Sequence, residues 1–116
     1  MGRFGKVIVY RPESKPAGIV LFLSGDGGWH LGVVGMAKHM VEEGMIVVGL
    51  DVRTYRTAIN APNNECRYYA ADFEELSHAV QQRLKLDEYH LPVLAGYSSG
   101  ATLAYAVMVQ SPPGTW

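Results

Sequence analysis

Charge of one sign, long apolar runs and cysteine are what this sequence has least of. Lys and Arg number 10 against 11 Asp and Glu, and the basic residues are scattered from Arg3 to Lys85. No basic stripe of the kind that grips nucleic acid is present, so no nucleic-acid partner is expected. Cys66 is the single cysteine, which excludes a disulfide framework and a thiolate metal cluster and is compatible with a reducing or an oxidising compartment. No segment approaches a transmembrane span. The opening "MGRFGKVIVYRPESK" has no apolar run of signal-peptide length, so any export signal would lie outside this sequence. Gly2 starts a myristoylation pattern, but Lys6 stands where Ser or Thr is needed. No histidine pair has the spacing of a zinc motif, and no Gly-Lys-Ser/Thr marks a nucleotide triphosphatase loop. Neither a metal nor a cofactor is expected.

What is there is an ordinary folded composition, 48% hydrophobic and 18% charged, in 116 residues that make a single domain, 1–116. "KVIVY" (6–10) and "IVLFLS" (19–24) read as strands on either side of a polar turn with two prolines. The second is apolar without alternation and is expected to be buried on both faces. From Leu31 to Glu43, helical spacing puts Val33, Met36, Ala37, Met40 and Val41 on one face, and Gly44 ends that helix. "MIVVGLDV" is a third strand. The polar, turn-rich stretch from Arg53 to Glu65 reads as the longest irregular segment, and long loops over a compact core are often functional. Tyr69, Phe73, Leu76, Val80 and Leu84 recur at steps of four and three, the stripe of an amphipathic helix with Asp72, Glu75 and Gln82 opposite. "LPVLAG" is a fourth strand, and Ser99 to Gln110 a further helix.

Strands alternating with helices imply an α/β fold with a mostly parallel sheet and flanking helices. Sites in such sheets lie at the carboxyl ends of the strands, here "SGDGGWH", "DVRTYRT" and "GYSSG". The last matches G-x-S-x-G across Gly96, Ser98 and Gly100. A nucleophilic serine of this type sits on a sharp, strained strand-to-helix turn, where bulk two positions to either side would strike backbone. An apolar strand before the motif and an apolar helix after it give the expected context. Ser98 is therefore the candidate nucleophile, the alternative being an ordinary tight turn. Gly25 and Asp26 in the glycine-rich loop, with Ser99, are the candidate oxyanion amides, since glycines let backbone N–H groups face a substrate oxygen. On the substrate side the candidates are Trp29, as the wall of an acyl or head-group pocket, His30, Tyr97 and Arg53. Arg53 and its neighbour Arg56 have the planar fork that suits a lipid phosphate. Trp29 as a core anchor, and the two arginines as solvated loop charges, are the plainer readings.

"VLFLSGDGGW", "VVGLDV" and "AGYSSGATLAYA", in that order, resemble the bacterial virulence proteins VirJ and AcvB, a branch of the α/β-hydrolase superfamily, and most closely the amino-terminal VirJ-like half of AcvB. The resemblance runs from about Ile19 to the C-terminus. It implies an α/β-hydrolase fold, a periplasmic setting, a connection with type IV secretion, and, for AcvB-like members, hydrolysis of aminoacylated phosphatidylglycerol. A lipid or small ester is then the expected substrate and secretion-system proteins are expected partners.

The departure from that pattern is the second half of the machinery. An α/β-hydrolase places its acid and its histidine after the serine, yet 18 residues follow Ser98 and none is Asp, Glu or His. The chain thus reads as the amino-terminal half of a hydrolase fold with weak or no turnover of its own. His30 is the histidine nearest the expected site; His39, His78 and His90 read as surface or packing residues, while Asp26 and Asp51 could each orient a base or cap a loop. Two other classes remain open. A non-catalytic interaction domain would use an unpaired apolar strand, Pro92 to Ala95, to self-associate. A dinucleotide-binding module would use the G-x-G of "GDGGWH" with Asp51, although His30 occupies its third glycine position.

Overall fold

The computed structural model describes residues 2–25, 29, 33–59 and 69–116. A 3-10 turn (Gly2–Phe4) leads into β1 (Ile8–Tyr10), β2 (Gly18–Leu23), α1 (Val34–Glu42), β3 (Met45–Leu50), α2 (Val52–Ile59), α3 (Tyr69–Arg83), β4 (Val93–Gly96) and α4 (Ser99–Gln110). The four strands form one sheet in the order β1-β3-β2-β4. β2 is parallel to both β3 and β4, but β1 runs antiparallel to β3, with Ile8 opposite Gly49 and Tyr10 opposite Val47. The sheet is therefore mixed, where a mostly parallel one was expected. The short polar connection from β1 to β2 contains no helix, and a parallel pair needs a crossover of a dozen or more residues.

The apolar run of β2 is explained by its central position. Ile19, Leu21 and Leu23 point into one core with Ile46, Val48 and Leu50 of β3, roofed by α3 and α4 through Phe73, Leu76, Val80, Ala104 and Val107. Val20 and Phe22 point the other way, joining Val47, Trp29 and the α1 face of Val33 and Ala37. Met40 and Val41 pack at the margin of that second core, whereas Met36, expected on the same face, is 43% exposed. Gly44 closes α1 at φ +91, its N–H donating to the Val41 carbonyl at 2.9 Å. Glycine reaches that left-handed backbone without penalty, which is why it ends the helix there.

The segment after β3 differs from expectation. The described part of what reads as an irregular loop is helix α2, with Val52 and Tyr55 buried and Ile59 packed against the core. Asp51 starts it: its carboxylate accepts the Arg53 N–H at 2.9 Å, satisfying one of the amides that a helix's first turn leaves over. Tyr55 then stacks on Phe4 at 4.5 Å between centroids and meets the edge of Phe73 at 5.3 Å, anchoring the 3-10 turn to the core.

Candidate active site

The carboxyl ends of β2, β3 and β4 meet at Ser24. Its backbone N–H donates to the Leu50 carbonyl at 2.9 Å, and its buried Oγ accepts the Val52 N–H at 3.1 Å, tying the end of β2 to the first turn of α2. On the other side, the Tyr97 N–H donates to the Leu23 carbonyl at 3.0 Å, extending the β2–β4 ladder into the serine turn. Sequence reasoning placed Ser24 only as the end of an apolar strand. The one legible signal was a hydroxyl closing a run otherwise buried on both faces.

Ser98 itself lies at φ 56, ψ −120, one of two described non-glycine residues with positive φ. An L-residue holds such a conformation at a cost of about 1–3 kcal/mol, only where the surroundings over-determine it. Here they do. A Cβ at Gly96 would overlap the Gly100 carbonyl and lie 2.5 Å from the Ala101 nitrogen; one at Gly100 would overlap the Ser24 carbonyl and lie 2.6 Å from that of Leu23. Strand, turn and helix thus approach more closely than any side chain at those two positions permits. The turn closes with the Gly100 N–H donating to Tyr97 and the Ala101 N–H to Ser98, each at 3.0 Å. The Ser98 side chain is exposed and makes no cap to the helix it precedes, so its hydroxyl is not spent on architecture. It sits at the amino end of the 12-residue α4, where the aligned peptide dipoles leave a partial positive charge.

The structure brings Gly25 to this serine. A Cβ built at Gly25 would stand 3.2 Å from both the Ser98 Cβ and the Tyr97 carbonyl and 3.3 Å from the Tyr97 ring, so the start of the glycine-rich loop lies directly against the turn. Tyr97 is 43% exposed beside it, and Ser99 is the first residue of α4. Asp26 and His30 lie outside the described residues.

Two other candidates are placed differently. Trp29 is 3% exposed and belongs to the core beneath α1: its ring meets Phe22 edge-on at 5.6 Å and its Nε1–H donates to the Tyr10 hydroxyl at 3.0 Å. A Cβ at Gly49 would come within 2.6 Å of that ring, so β3 carries glycine there to seat it. The core-anchor reading of Trp29 describes its position, not the pocket wall. Arg53 stands in α2 rather than in a loop, its guanidinium donating to Asp51 at 3.1 and 3.3 Å. That hydrogen bond, helped by the amide of Arg53, holds the Asp51 carboxyl below the usual carboxylate range and raises the guanidinium in turn. Asp51 is thereby committed to capping α2.

No described histidine stands at the serine turn. His39 is in the last turn of α1 beside Glu42 at 3.7 Å, His78 stacks on Tyr89 at 4.2 Å, and the His90 backbone is clamped by Gln81 at 2.8 Å before β4 begins. Among the described residues no group of three or more His, Cys, Asp or Glu gathers to hold a metal, and no helix is long and apolar enough to cross a membrane. A cleft of about 450 Å³ opens between the 3-10 turn and α3, lined by Arg3, Asp72, Glu75 and Arg83 among others; its Asp72 is bound by Arg3 at 2.7 Å and by the Tyr55 hydroxyl at 2.8 Å.

A family model described as bacterial virulence protein (VirJ) matches residues 17–115, which takes in β2 through α4 and with them both the glycine-rich loop and the serine turn. No curated protein and no solved structure matches the chain significantly.

Proposed function

Since the chain belongs to the VirJ family of bacterial virulence proteins, we propose that its chemistry is acyl transfer from an ester to water through Ser98, on an α/β-hydrolase type of scaffold. The observation that carries this reading is the Ser98 backbone, held at φ 56, ψ −120 between two glycines that admit no side chain. In the proposed reaction the Ser98 Oγ attacks the ester carbonyl carbon and loses its proton to a base. The alcohol leaves with that proton, and water then releases the acid from the acyl-serine. The negative oxygen of the tetrahedral intermediate would be met by the backbone N–H groups of Ser99 and of Gly25 or Asp26. Tyr97, beside the serine, would contact the substrate. A lipid ester such as an aminoacylated phosphatidylglycerol, a periplasmic setting and a link to type IV secretion complete the reading, as the resemblance to VirJ and AcvB suggests.

Without a base the serine hydroxyl is a weak nucleophile. His39, His78 and His90 stand elsewhere, so this chain is expected to acylate slowly unless His30 serves. The test is covalent labelling by a fluorophosphonate probe, beside Ser98→Ala as control. Labelling that the substitution abolishes supports the nucleophile; a folded sample that fails to label even at long exposure would make the turn purely architectural.

A further inference from the structure

Among the described residues the buried polar side chains are Ser24, Ser77 and Gln81. Ser77 and Gln81 bond one another in α3, and Gln81 holds the His90 backbone ahead of β4. Ser24 lies apart from them, fully buried just beyond the end of β2, at the edge of the sheet where Ser98 stands. A buried hydroxyl costs free energy unless it is hydrogen-bonded, so the partner of Ser24 decides why a serine is tolerated there. That partner is the N–H of Val52, the first residue of α2, at 3.1 Å. The first amides of a helix find no carbonyl within it. Asp51 accepts that of Arg53, while that of Val52, itself buried, is left to a residue 28 positions earlier.

Ser24 also touches the serine turn. Its carbonyl lies where a side chain on Gly100 would have to be, and the Leu23 carbonyl, one residue earlier, accepts the Tyr97 N–H at 3.0 Å. Gly25, one residue later, stands against Ser98 and Tyr97. A shift at Ser24 is therefore passed to both sides of the site, to the candidate oxyanion amide of Gly25 and to the turn that carries Ser98. Gly25 has no side chain of its own to pack and the widest backbone freedom of any residue. Its place depends on what holds its neighbour.

We propose that Ser24 is a positioning residue for the reaction at Ser98: its hydroxyl pins the end of β2 to α2 and thereby fixes Gly25 relative to the serine. This rests on Ser98 as the nucleophile and deepens that reading by naming what holds the oxyanion side in place. Groups that stabilise a tetrahedral intermediate must be held to within about 0.5 Å, and a misplacement of about 1 Å can slow a reaction about 100-fold. One buried hydrogen bond between strand end and helix start supplies that restraint, because it acts on the residue directly before Gly25.

The test measures fluorophosphonate labelling of the purified chain as two quantities, the rate at saturating probe and the affinity for the probe. Ser24→Ala is expected to slow the saturated rate at least about tenfold with little change in affinity, since only the tetrahedral state uses the oxyanion amides. Ser77→Ala is the control for lost stability: it also removes a buried, bonded hydroxyl, but beside the chain that enters β4, and its folded fraction should label at the parental rate. Val52→Pro removes the other partner of the bond at a helix position that accepts proline, and it serves if Ser24→Ala does not fold. It should slow labelling by a similar factor, with the double variant no slower than either. Amide hydrogen exchange gives a reading independent of the chemistry: the Tyr97 N–H should exchange faster in Ser24→Ala than in Ser77→Ala. Labelling of Ser24→Ala at the parental rate, equal slowing by Ser77→Ala, or Ser24 and Val52 effects that multiply would each overturn the proposal. A parent that never labels refutes Ser98 as the nucleophile instead, and the clamp then stands or falls on Tyr97, where equal exchange in the two alanine variants would end it.

Discussion

Replacing Ser98 by glycine is expected to stabilise the protein, which reverses the usual effect of glycine. At an unstrained site, glycine in place of alanine costs about 0.5–1 kcal/mol, because the unfolded chain gains freedom. Ser98 is not such a site: at φ 56, ψ −120 any residue with a Cβ bears about 1–3 kcal/mol of strain. Ser98→Ala removes the hydroxyl and keeps the strain, so it should match the parent closely, since the hydroxyl caps nothing. Ser98→Gly removes both. Setting strain relief against chain entropy leaves a net gain centred near 1 kcal/mol, or roughly 4 °C in Tm for a domain of this size. Urea unfolding of the two variants side by side, with unchanged m values, reads the difference directly. Ser98→Gly less stable than Ser98→Ala would refute the argument, because the turn would then store no strain and the case for a nucleophile elbow would lose its main support.

Gly100→Ala should cost about 3 kcal/mol or more, since the added methyl meets the Leu23 and Ser24 backbone rather than a side chain that can yield; a loss below about 1 kcal/mol in urea unfolding would show that the turn is looser than drawn. Tyr55 gives the fold an alkaline limit. Burial first, then its hydrogen bond to Asp72 and that carboxylate's charge, push the phenol well above its ordinary value. A raised folded-state value means stability intact below the unfolded value of about 10 and lost as pH rises beyond it, at up to about 1.4 kcal/mol per pH unit. Tyr55→Phe should cost about 1 kcal/mol at neutral pH and remove most of that alkaline loss. An alkaline slope unchanged in Tyr55→Phe would assign it to another group.

Local pattern was enough to find α3 and α4, because the 3.6-residue stripe from Tyr69 to Leu84 and the breakers around Ser99 to Gln110 are properties of the chain alone. It was not enough for α2. There the apolar positions Val52, Tyr55 and Ile59 are sparse among Arg, Thr and Ala, and the helix is held by an Asp51 cap together with aromatic packing on Phe4 and Phe73 from distant segments. The same holds for the site. G-x-S-x-G with an apolar strand before it marked Ser98, since a tight turn imposes its glycines locally. Trp29 could not be assigned in that way: a tryptophan after a glycine-rich loop suits a pocket or a core equally well, and the cavity that decides the matter is made by Gly49, Phe22 and Tyr10 from three strands.

The sequence by itself determined the order of the four strands and of α1, α3 and α4, the two-faced burial of β2 and the position of the serine turn, because these follow from periodicity, from apolar runs and from glycine. Only the tertiary structure decided the helical course of α2, the antiparallel seat of β1, the junction at Ser24 and the burial of Trp29. Each of those depends on which distant segments meet, and that is set by how the two faces of the sheet are covered rather than by any residue's neighbours in the chain.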